Sequence, residues 1–468
     1  MDCHPNCRTV ARPTPPLRLL LVAIAVSLYS LDPARGQSPD IFVDVQDRLQ
    51  QMQQQIDRLE TEVQATQQSP STVVYCPPPK KEPEYPTVRI TGLIQADVAW
   101  FHQDAANRNA IVNGSPLGDI QDGIDIRRAR IGATGRAWDN VRYLLEMDFG
   151  LGGRPTFMDN WLDIDQVVGS SNLRVGYFRQ PFGMDGQTSI KELRFLERAL
   201  PFAILPFRQT GLMLYGSSDE EVGTWAVSAF RFPTGPYAGN IGDNGGYGLA
   251  ARGTTLLINH GDGQGVLHLG GGYSYIDPAN DAVRYRSQPE ISVSESGSAV
   301  PLGVPSTVPV FVDTGVVPTA DINQFNVELA ASHGAWYAQS EMFYSVIDQL
   351  AGPTVTLPSG YAQVAYTLTG EHHPYKTDKG VFGRVRPQRS VGKEGGIGAW
   401  ELAARWSYLD LTDQNIRGGR LNNVTLGVNW YLNPYTKFQF NYIRAALDDP
   451  TGTHSVADIT ALRAQVDF

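Results

Sequence analysis

Apolar and polar residues alternate along most of the chain beyond residue 88. In residues 88–100 (VRITGLIQADVAW) every second residue is apolar or glycine, while Arg89, Gln95 and Asp97 fall on the opposite face. A period of two predicts β-strands with one apolar face. We count about sixteen such runs, and an even number is typical of bacterial outer-membrane barrels. They cover residues 88–100, 124–137, 141–149, 157–166, 172–179, 210–216, 223–232, 246–257, 265–276, 322–333, 335–346, 359–370, 399–410, 421–432, 436–446 and 458–468.

Aromatic residues help to choose between two folds that share this alternation. A soluble sandwich of two sheets also alternates, so the period alone is weak evidence. Tryptophans near strand ends are typical of the interfacial girdles of membrane barrels. The tryptophans that lie near the ends of the runs are Trp100, Trp138, Trp161, Trp225, Trp336, Trp400 and Trp430. Their positions favour a transmembrane barrel over residues 88–468.

The connections between the runs differ in length in a regular way. Short connections at residues 138–140, 333–334 and 433–435 follow even-numbered runs, and long ones such as 101–123, 180–209 and 277–321 follow odd-numbered runs. Outer-membrane barrels have short periplasmic turns and longer external loops. The parity therefore predicts that both ends of the barrel chain face the periplasm. Residues 371–398 break the rule, which leaves either an unusual periplasmic loop or a miscount of strands.

Three different segments precede the barrel. Arginines and then an apolar run over residues 19–31, followed by small residues at 34 and 36, predict a signal peptide over residues 1–36. Residues 40–66 carry apolar residues at heptad spacing, among them Met52 and Leu59. This predicts a coiled-coil helix that self-associates, with a monomeric amphipathic helix as the alternative. Residues 67–87 form a proline-rich linker, expected to be extended.

Composition removes some classes of function. The formal net charge of the 468-residue chain is -10, so a basic nucleic-acid-binding protein is not expected. Of the three cysteines, two lie in the predicted signal peptide and only Cys76 remains. An exported chain with one thiol is not built on disulfides. Cys76 is either a bystander in the linker or the site of an intersubunit disulfide.

Arginines are concentrated in the second predicted strand. Alternation in IDIRRARIGATGRAW, residues 124–138, places Arg128, Arg130 and Arg136 on one face. An arginine facing lipid costs about 2–4 kcal/mol at the bilayer midplane, so we expect these side chains to line the lumen. Arg252 of the eighth strand faces inward by the same rule. A sixteen-stranded barrel encloses an aqueous channel, in which guanidinium groups would bind anions.

Carboxylates on neighbouring strands offer another explanation for these arginines. Glu146, Asp148 and Asp163 are expected to face the lumen too. The arginines would then only neutralise acidic groups on the barrel wall. The sequence leaves both interpretations open.

The third long connection is not a simple turn. Residues 190–200 of QTSIKELRFLERALPFAILPFRQ contain good helix formers with leucines on one side, which predicts a helix. A loop this apolar is expected to fold into the barrel and narrow it. It would present Lys191, Arg194, Arg198 and Arg208 at the constriction. The alternative is a surface helix with ordinary charges.

Six stretches together resemble the phosphate-selective porin O and P family over residues 88–468. They are RRARIGATG, GYFRQPFG, FLERALP, GVFGRV, GAWELAARWSYLDL and GVNWYLNPYTKFQFNY. The resemblance implies a sixteen-stranded trimeric outer-membrane channel with its third loop folded inward. It also implies that Arg128 and Arg130 lie on the barrel wall, that KELRFLERALP is the constriction loop, and that GVFGRV lies on the exceptional connection.

One departure bears on selectivity. Phosphate-specific members gather anions on a lysine-rich loop, but residues 277–321 contain no lysine and only Arg284 and Arg286 as basic residues. The eighth strand offers only Arg252 instead of a run of alternating arginines. A general preference for anions is therefore expected more than strict phosphate selectivity.

The predicted fold class is all-β: a 16-stranded antiparallel transmembrane β-barrel preceded by a short N-terminal coiled-coil helix. The predicted function is an outer-membrane porin, a water-filled diffusion channel that prefers small anionic solutes such as phosphate or polyphosphate. Its expected partners are outer-membrane lipid and two further copies of itself, with no cofactor, and with the coiled coil in the periplasm. An outer-membrane anchor that tethers the envelope through the coiled coil is the alternative function.

An enzyme is the other rival, because some outer-membrane barrels are hydrolases. The eight histidines show no recognised metal-ligand spacing. An active site would need His268 within hydrogen-bond reach of a serine and a carboxylate, and the sequence gives no sign of this. We therefore expect no enzymatic activity.

Overall fold

The computed structural model describes residues 47, 50–59, 61–62, 84–150, 154–218, 220, 222–260, 265–294, 306–392 and 395–468. The chain divides into two compact units, Met1–Pro83 and Glu84–Phe468. In the first unit the described residues are helical and lie within the predicted coiled-coil segment. Met52 and Leu59 of the heptad pattern are exposed, and their self-association stays a prediction. The predicted signal peptide, Cys76 and linker residues 67–83 lie outside the described residues.

The second unit is a closed antiparallel barrel. Sixteen strands form its wall among the described residues, and the sheet closes because β1 pairs with both β2 and β16. Each of them overlaps one predicted run, which confirms the strand count. The strands are β1 Arg89–Gln103, β2 Gly123–Trp138, β3 Val141–Asp148, β4 Thr156–Val168, β5 Ser171–Arg179, β6 Arg208–Ser217, β7 Gly223–Arg231, β8 Tyr247–Asn259, β9 Gly265–Asp277, β10 Val317–His333, β11 Trp336–Gln349, β12 Val355–Thr367, β13 Ala399–Asp413, β14 Ile416–Asn433, β15 Thr436–Asp448 and β16 His454–Asp467.

The remaining elements of the barrel unit are short and lie in its connections. The α-helices are Ala105–Asn109 and Met184–Gln187, and the 3-10 helices are Ile190–Glu192, Leu200–Ile204 and Ala279–Asp281. Two-residue strands occur at Ile111–Val112, Ser115–Pro116, Ala282–Val283, Arg286–Ser287, Val312–Asp313, Tyr375–Lys376 and Val381–Phe382. No helix among the described residues is long and apolar enough to cross a membrane.

Alternation decides which side chains face outward. On β10, Phe325, Val327 and Leu329 are exposed on the outer surface, whereas Asn326 and Glu328 between them are buried in the lumen. The outward apolar face matches the hydrocarbon of a bilayer, and the inward polar groups find partners inside the barrel. The wall is therefore inverted relative to a soluble protein, with its apolar side outside.

The aromatic girdle is confirmed for some tryptophans and wrong for one. Trp138 and Trp336 lie beside short turns and are more than half exposed on the outer surface. Trp161 instead faces the lumen, because its neighbour Leu162 on β4 is exposed outside. The guanidinium of Arg174 lies 4.1 Å from the ring centre of Trp161. Its position along the chain resembled a strand end, but its register places it inside.

The connections confirm part of the predicted parity. The connection between β12 and β13 covers residues 368–398, so the exception was an unusual loop and not a miscount. The prediction of long connections after odd-numbered strands holds at residues 104–122, 180–207, 232–246 and 278–316. The connections at 350–354, 414–415 and 449–453 also follow odd-numbered strands but are short, so not every connection at that end is long.

Candidate functional site

Three connections fold into the barrel instead of covering its ends. We call residues 180–207 the constriction loop, residues 278–316 the long external loop and residues 368–398 the periplasmic loop, the last two after the orientation predicted from the sequence. Apolar side chains in each are buried, such as Leu196, Phe311 and Val385. The first two enter from the end with the longer connections and the third enters from the end with the short turns.

Polar side chains of the wall hold the constriction loop in place. The carboxylate of Glu341 on β11 accepts hydrogen bonds from the amides of Met184 and Asp185, at 2.7 and 2.8 Å. Farther along the loop, Asn441 on β15 accepts from the amide of Leu196 at 2.9 Å. These bonds satisfy buried backbone donors that water cannot reach. The loop therefore lies against the wall from β10 to β16.

Residues 190–200 do not form the predicted helix. The structure has two 3-10 helices, Ile190–Glu192 and Leu200–Ile204, separated by a bent segment. Wall side chains such as Ser407, which accepts from the amide of Leu200 at 2.8 Å, take the hydrogen bonds that a helix would make internally. The helix prediction is wrong, whereas the prediction that this loop folds inward is confirmed.

The long external loop crosses the lumen above the constriction loop. Its Glu290 accepts from Arg405 of β13 at 2.7 Å and from the amide of Leu200 at 3.0 Å. Thr425 of β14 donates to the same carboxylate at 3.2 Å. The loop leaves the wall between β9 and β10, so these contacts fix it to the wall three and four strands beyond β10.

The periplasmic loop meets the constriction loop from the turn end. His373 accepts at Nδ1 from Arg194 at 2.9 Å, and Lys376 donates to Glu192. The wall also holds the loop, since Arg252 donates to the carbonyl of Gly380 at 2.8 Å. The two loops therefore support each other near the middle of the barrel.

A cavity of about 580 Å³ remains between the constriction loop, the long external loop and β2. We call it the loop-side cavity. Its charged lining consists of Arg127, Arg128, Arg130, Arg198, Arg208, Arg286, Glu197 and Glu290. Six cationic residues thus face two anionic ones, although the whole chain carries a net charge of -10.

A second cavity of about 420 Å³ lies on the other side of the constriction loop, which we call the turn-side cavity. Its charged lining consists of Arg142, Arg174, Arg179, Arg252, Lys376, Lys379, Asp159, Glu192 and Asp378. Cationic residues again outnumber anionic ones, six to three. Arg208 of the first cavity donates to Asp159 of the second at 3.0 Å, so this ion pair connects the linings of the two cavities.

Carboxylates do accompany the predicted arginines. Arg130 lies 2.8 Å from Asp148 and 3.7 Å from Glu146, both on β3. Arg128 pairs with Glu197 of the constriction loop at 2.7 Å, a partner that the sequence did not indicate. The lumen therefore mixes both signs, as the neutralisation hypothesis expected, and the excess of arginine over acid remains.

Among the acidic residues of the constriction loop, Glu197 has the most arginine partners. Arg127, Arg128 and Arg463 all lie within 3.2 Å of its carboxylate. Burial alone would raise the pKa of Glu197, but these three charges hold it well below its usual range. The group is therefore a fixed anion that ties the loop to β2 and β16.

The eight predicted site residues lie in four places. Four of them line the loop-side cavity: Arg128, Arg130, Arg198 and Arg208. Arg252 lines the turn-side cavity, and Arg136 pairs with Asp165 near the turn end. Lys191 and Arg194 are held against the wall instead, by the carbonyl of Gly92 at 3.0 Å and by Glu401 at 3.4 Å.

Other lining arginines were missed for different reasons. Arg142 and Arg174 follow from the same alternation that placed Arg130 inside, since Leu145 and Val175 of their strands are exposed outside. Arg127 does not follow, because a β-bulge between β1 and β2 brings two successive residues inward. Arg179 and Arg286 lie at a strand end and in a loop, where a period of two gives no signal.

The histidine considered for an enzyme is buried under the periplasmic loop. His268 lies 3.2 Å from Glu328 and 2.6 Å from the hydroxyl of Tyr375. Both partners are structural groups of the wall and the loop. No cluster of three or more potential metal ligands occurs among the described residues.

Comparison with known proteins decides the family. The family model of phosphate-selective porin O and P matches residues 90–468. The chain belongs to this family. It is thus a porin of the bacterial outer membrane, and the barrel with its inward loops is the channel.

Individual relatives of this porin are distant in sequence. It is 27% identical to Porin O of Pseudomonas aeruginosa over 365 residues, covering 73% of this chain and 81% of the relative. It is 24% identical to an uncharacterised protein of Caulobacter vibrioides over 473 residues, covering 91% and 90%. Among solved structures, the anion-selective porin from Comamonas acidovorans aligns with a TM-score of 0.48 and 12% identity, covering 81% of this chain and 99% of that chain.

Proposed function

We propose that this porin is a water-filled diffusion channel that prefers small anions, phosphate and polyphosphate among them. The observation that carries the proposal is the excess of cationic residues in both cavities, six to two and six to three. Fixed charges of one sign lining a narrow aqueous path raise the local concentration of the opposite ion. The net charge of the whole chain is negative, so the preference arises inside the lumen alone.

The solute path follows the side of the lumen that the constriction loop leaves free. An anion enters the loop-side cavity beside Arg130 and Arg198, passes the Arg208–Asp159 pair and reaches Arg174 in the turn-side cavity. Guanidinium groups keep their charge at any physiological pH and present several N–H donors. Pairing with nearby carboxylates keeps each arginine from binding an anion too tightly, so the ion moves from one site to the next.

Phosphate is expected to be one solute among several. The long external loop bears no lysine, and its Arg284 is occupied by Asp313 at 2.6 Å. The loop therefore offers little to gather dianions selectively at the entrance. Strict selectivity for phosphate is not part of the proposal.

The reversal potential of the purified protein in a planar bilayer under a KCl gradient tests the proposal. We expect a potential of the sign given by chloride preference, and partial block of the chloride current by added phosphate. A potassium-preferring or unselective potential would overturn the anion preference. Chloride preference without phosphate block would keep the channel and remove phosphate as a ligand.

We also propose that the porin is a homotrimer whose heptad helix, residues 40–66, forms a periplasmic coiled coil. The support is the heptad spacing together with the exposure of Met52 and Leu59 on the described part of the helix. The tethering function would then be an addition to the channel. Light scattering of the purified protein, with and without residues 37–83, measures the number of subunits that this segment holds together. A monomer in both preparations would contradict the proposal.

A further inference from the structure

Part of the lining of the loop-side cavity is apolar and aromatic, in addition to its six arginines. Phe202 and Phe207 of the constriction loop both line the cavity and are only partly buried. Their ring centres lie 4.5 Å apart with an interplanar angle of 75°, an edge-to-face pair. Pro309 and Val310 of the long external loop continue the apolar surface across the cavity.

Guanidinium groups lie against these same rings. Arg198 is 5.2 Å from the ring centre of Phe202 and 5.3 Å from that of Phe207, and Arg208 is 4.7 Å from the ring centre of Phe207. Planar guanidinium groups and aromatic rings attract each other in this range. The cavity therefore presents positive charge and apolar surface side by side.

An inorganic anion gains no binding free energy from apolar surface of this kind. Phosphate and chloride interact with the arginines and with water, and they gain nothing from a hydrocarbon wall. An organic anion with a planar apolar body gains from both surfaces, since its charged end meets Arg198 or Arg208 while its ring packs on Phe202. The volume of about 580 Å³ accommodates a single aromatic ring with its anionic group.

We infer that the loop-side cavity is a binding site for small aromatic anions, such as aromatic carboxylates or phosphonates. The inference rests on the proposed anion channel and names a substrate class for it. Aromatic anions bind there more tightly than inorganic anions of the same charge, and the ring of Phe202 supplies the difference.

Two phosphonates separate the aromatic contribution from charge. Methylphosphonate and phenylphosphonate carry the same anionic group, and they are compared as blockers of chloride current through single channels, at a pH at which both are dianions. We expect phenylphosphonate to block at a concentration about fivefold lower, the difference that one aromatic pair supplies. Equal block by both compounds, in a channel that prefers chloride, would overturn the inference and leave the anion channel intact.

Variants locate the site. Phe202→Ala should bring the blocking concentration of phenylphosphonate close to that of methylphosphonate. Phe325→Ala removes a phenyl ring from the lipid-facing surface and should change the blocking concentration of neither phosphonate. If the unmodified protein shows no preference for chloride, that result would instead contradict the proposed function itself. An unchanged ratio in Phe202→Ala would place the aromatic contact elsewhere and overturn the assignment.

Discussion

The two halves of the lumen differ in the side chains that their strands point inward. From β10 to β16 the inner residues are mainly amides, hydroxyls and carboxylates, such as Asn441, Ser407 and Glu341. From β2 to β6 they are arginines with paired aspartates, such as Arg174 and Asp163 at 2.7 Å. The wall groups that accept from the backbone of the constriction loop lie in the first half, whereas the second half meets this loop at Glu197, which pairs with Arg127 and Arg128.

This difference indicates that the types of side chain on the inner face, and not the geometry of the strands, decide where the constriction loop is held. Amide and carboxylate side chains can accept from backbone N–H groups, so they replace the hydrogen bonds that the loop lacks. A guanidinium has no acceptor and cannot do so. Arginines of the second half, such as Arg174, pair with aspartates of neighbouring strands and line the cavities.

Removing the acceptor under the constriction loop should have the largest effect. Glu341→Leu leaves the buried amides of Met184 and Asp185 without partners, at a cost of about 1–3 kcal/mol each. We expect the loop to leave the wall, the single-channel conductance to rise and the thermal midpoint of the barrel to fall. Conductance in planar bilayers and circular dichroism during heating measure the two effects.

A graded control belongs with this experiment. Glu341→Gln keeps one acceptor oxygen and the size of the side chain, so its effect should be smaller in both measurements. If Glu341→Leu leaves conductance and thermal midpoint unchanged, the wall side chain does not hold the loop.

Removing cations from the second half should have an intermediate effect. In Arg128→Ala combined with Arg130→Ala, the permeability ratio of chloride to potassium should fall by about two- to fivefold, because a unit charge 4 Å from an ion contributes about 1 kcal/mol in water. The barrel should still fold, since Glu197 keeps Arg127 and Arg463 as partners. Reversal potentials measure the ratio.

The matched control removes two arginines from the outside of the barrel. Arg420 and Arg444 are exposed and pair with aspartates of neighbouring strands. Arg420→Ala combined with Arg444→Ala should leave the permeability ratio as it is. If the lumenal double variant and the unmodified protein have the same permeability ratio, Arg128 and Arg130 do not contribute to selectivity.

A change of pH is expected to have the smallest effect. It acts through His373 of the periplasmic loop, which contacts the first half of the barrel. Burial and then the charge of Arg194 lower the pKa of His373 to about 4, although Glu401 at 3.5 Å acts in the opposite direction. Its Nδ1 accepts from Arg194 and its Nε2–H donates to the carbonyl of Ala335 at 3.1 Å, so the neutral ring is the bound form.

The sign of the pH effect follows from this shift. Between about pH 6.5 and pH 4 the unfolded chain binds a proton that the folded chain does not, so stability falls as pH is lowered through this window. In His373→Asn this part of the loss should disappear from the thermal midpoint measured against pH. His333→Asn, at an exposed histidine, should keep it. Equal slopes in the two variants would contradict the assignment.

The barrel wall could be predicted from the sequence because apolar and polar residues alternate within each strand. All sixteen strands were located, and Arg130, Glu146 and Asp148 were placed on the inner face, since alternation is a local property. The apolar character of the constriction loop and the family resemblance both indicated that it folds inward. These parts need no knowledge of which strands face each other across the lumen.

The filling of the lumen could not be predicted in the same way. Which acid pairs with Arg128 depends on where residue 197 of a loop crosses the barrel, and which side the loop takes depends on acceptors such as Glu341 and Asn441. These are contacts between residues far apart in the chain. The predicted helix at residues 190–200 failed for the same reason, because distant wall side chains took its hydrogen bonds.

The joint between β1 and β16 has a consequence for the order of folding. Gly92 and Phe468 exchange backbone hydrogen bonds at 2.9 and 3.2 Å, and a Cβ at Gly92 would lie 2.3 Å from the Phe468 ring. Gln95 and Gln465, which meet along the same joint, are 370 positions apart. Closing so long a segment is slow, and an open sheet edge in hydrocarbon is costly. We therefore expect assembly to be cooperative, with no stable half-barrel in the bilayer before the two edges meet.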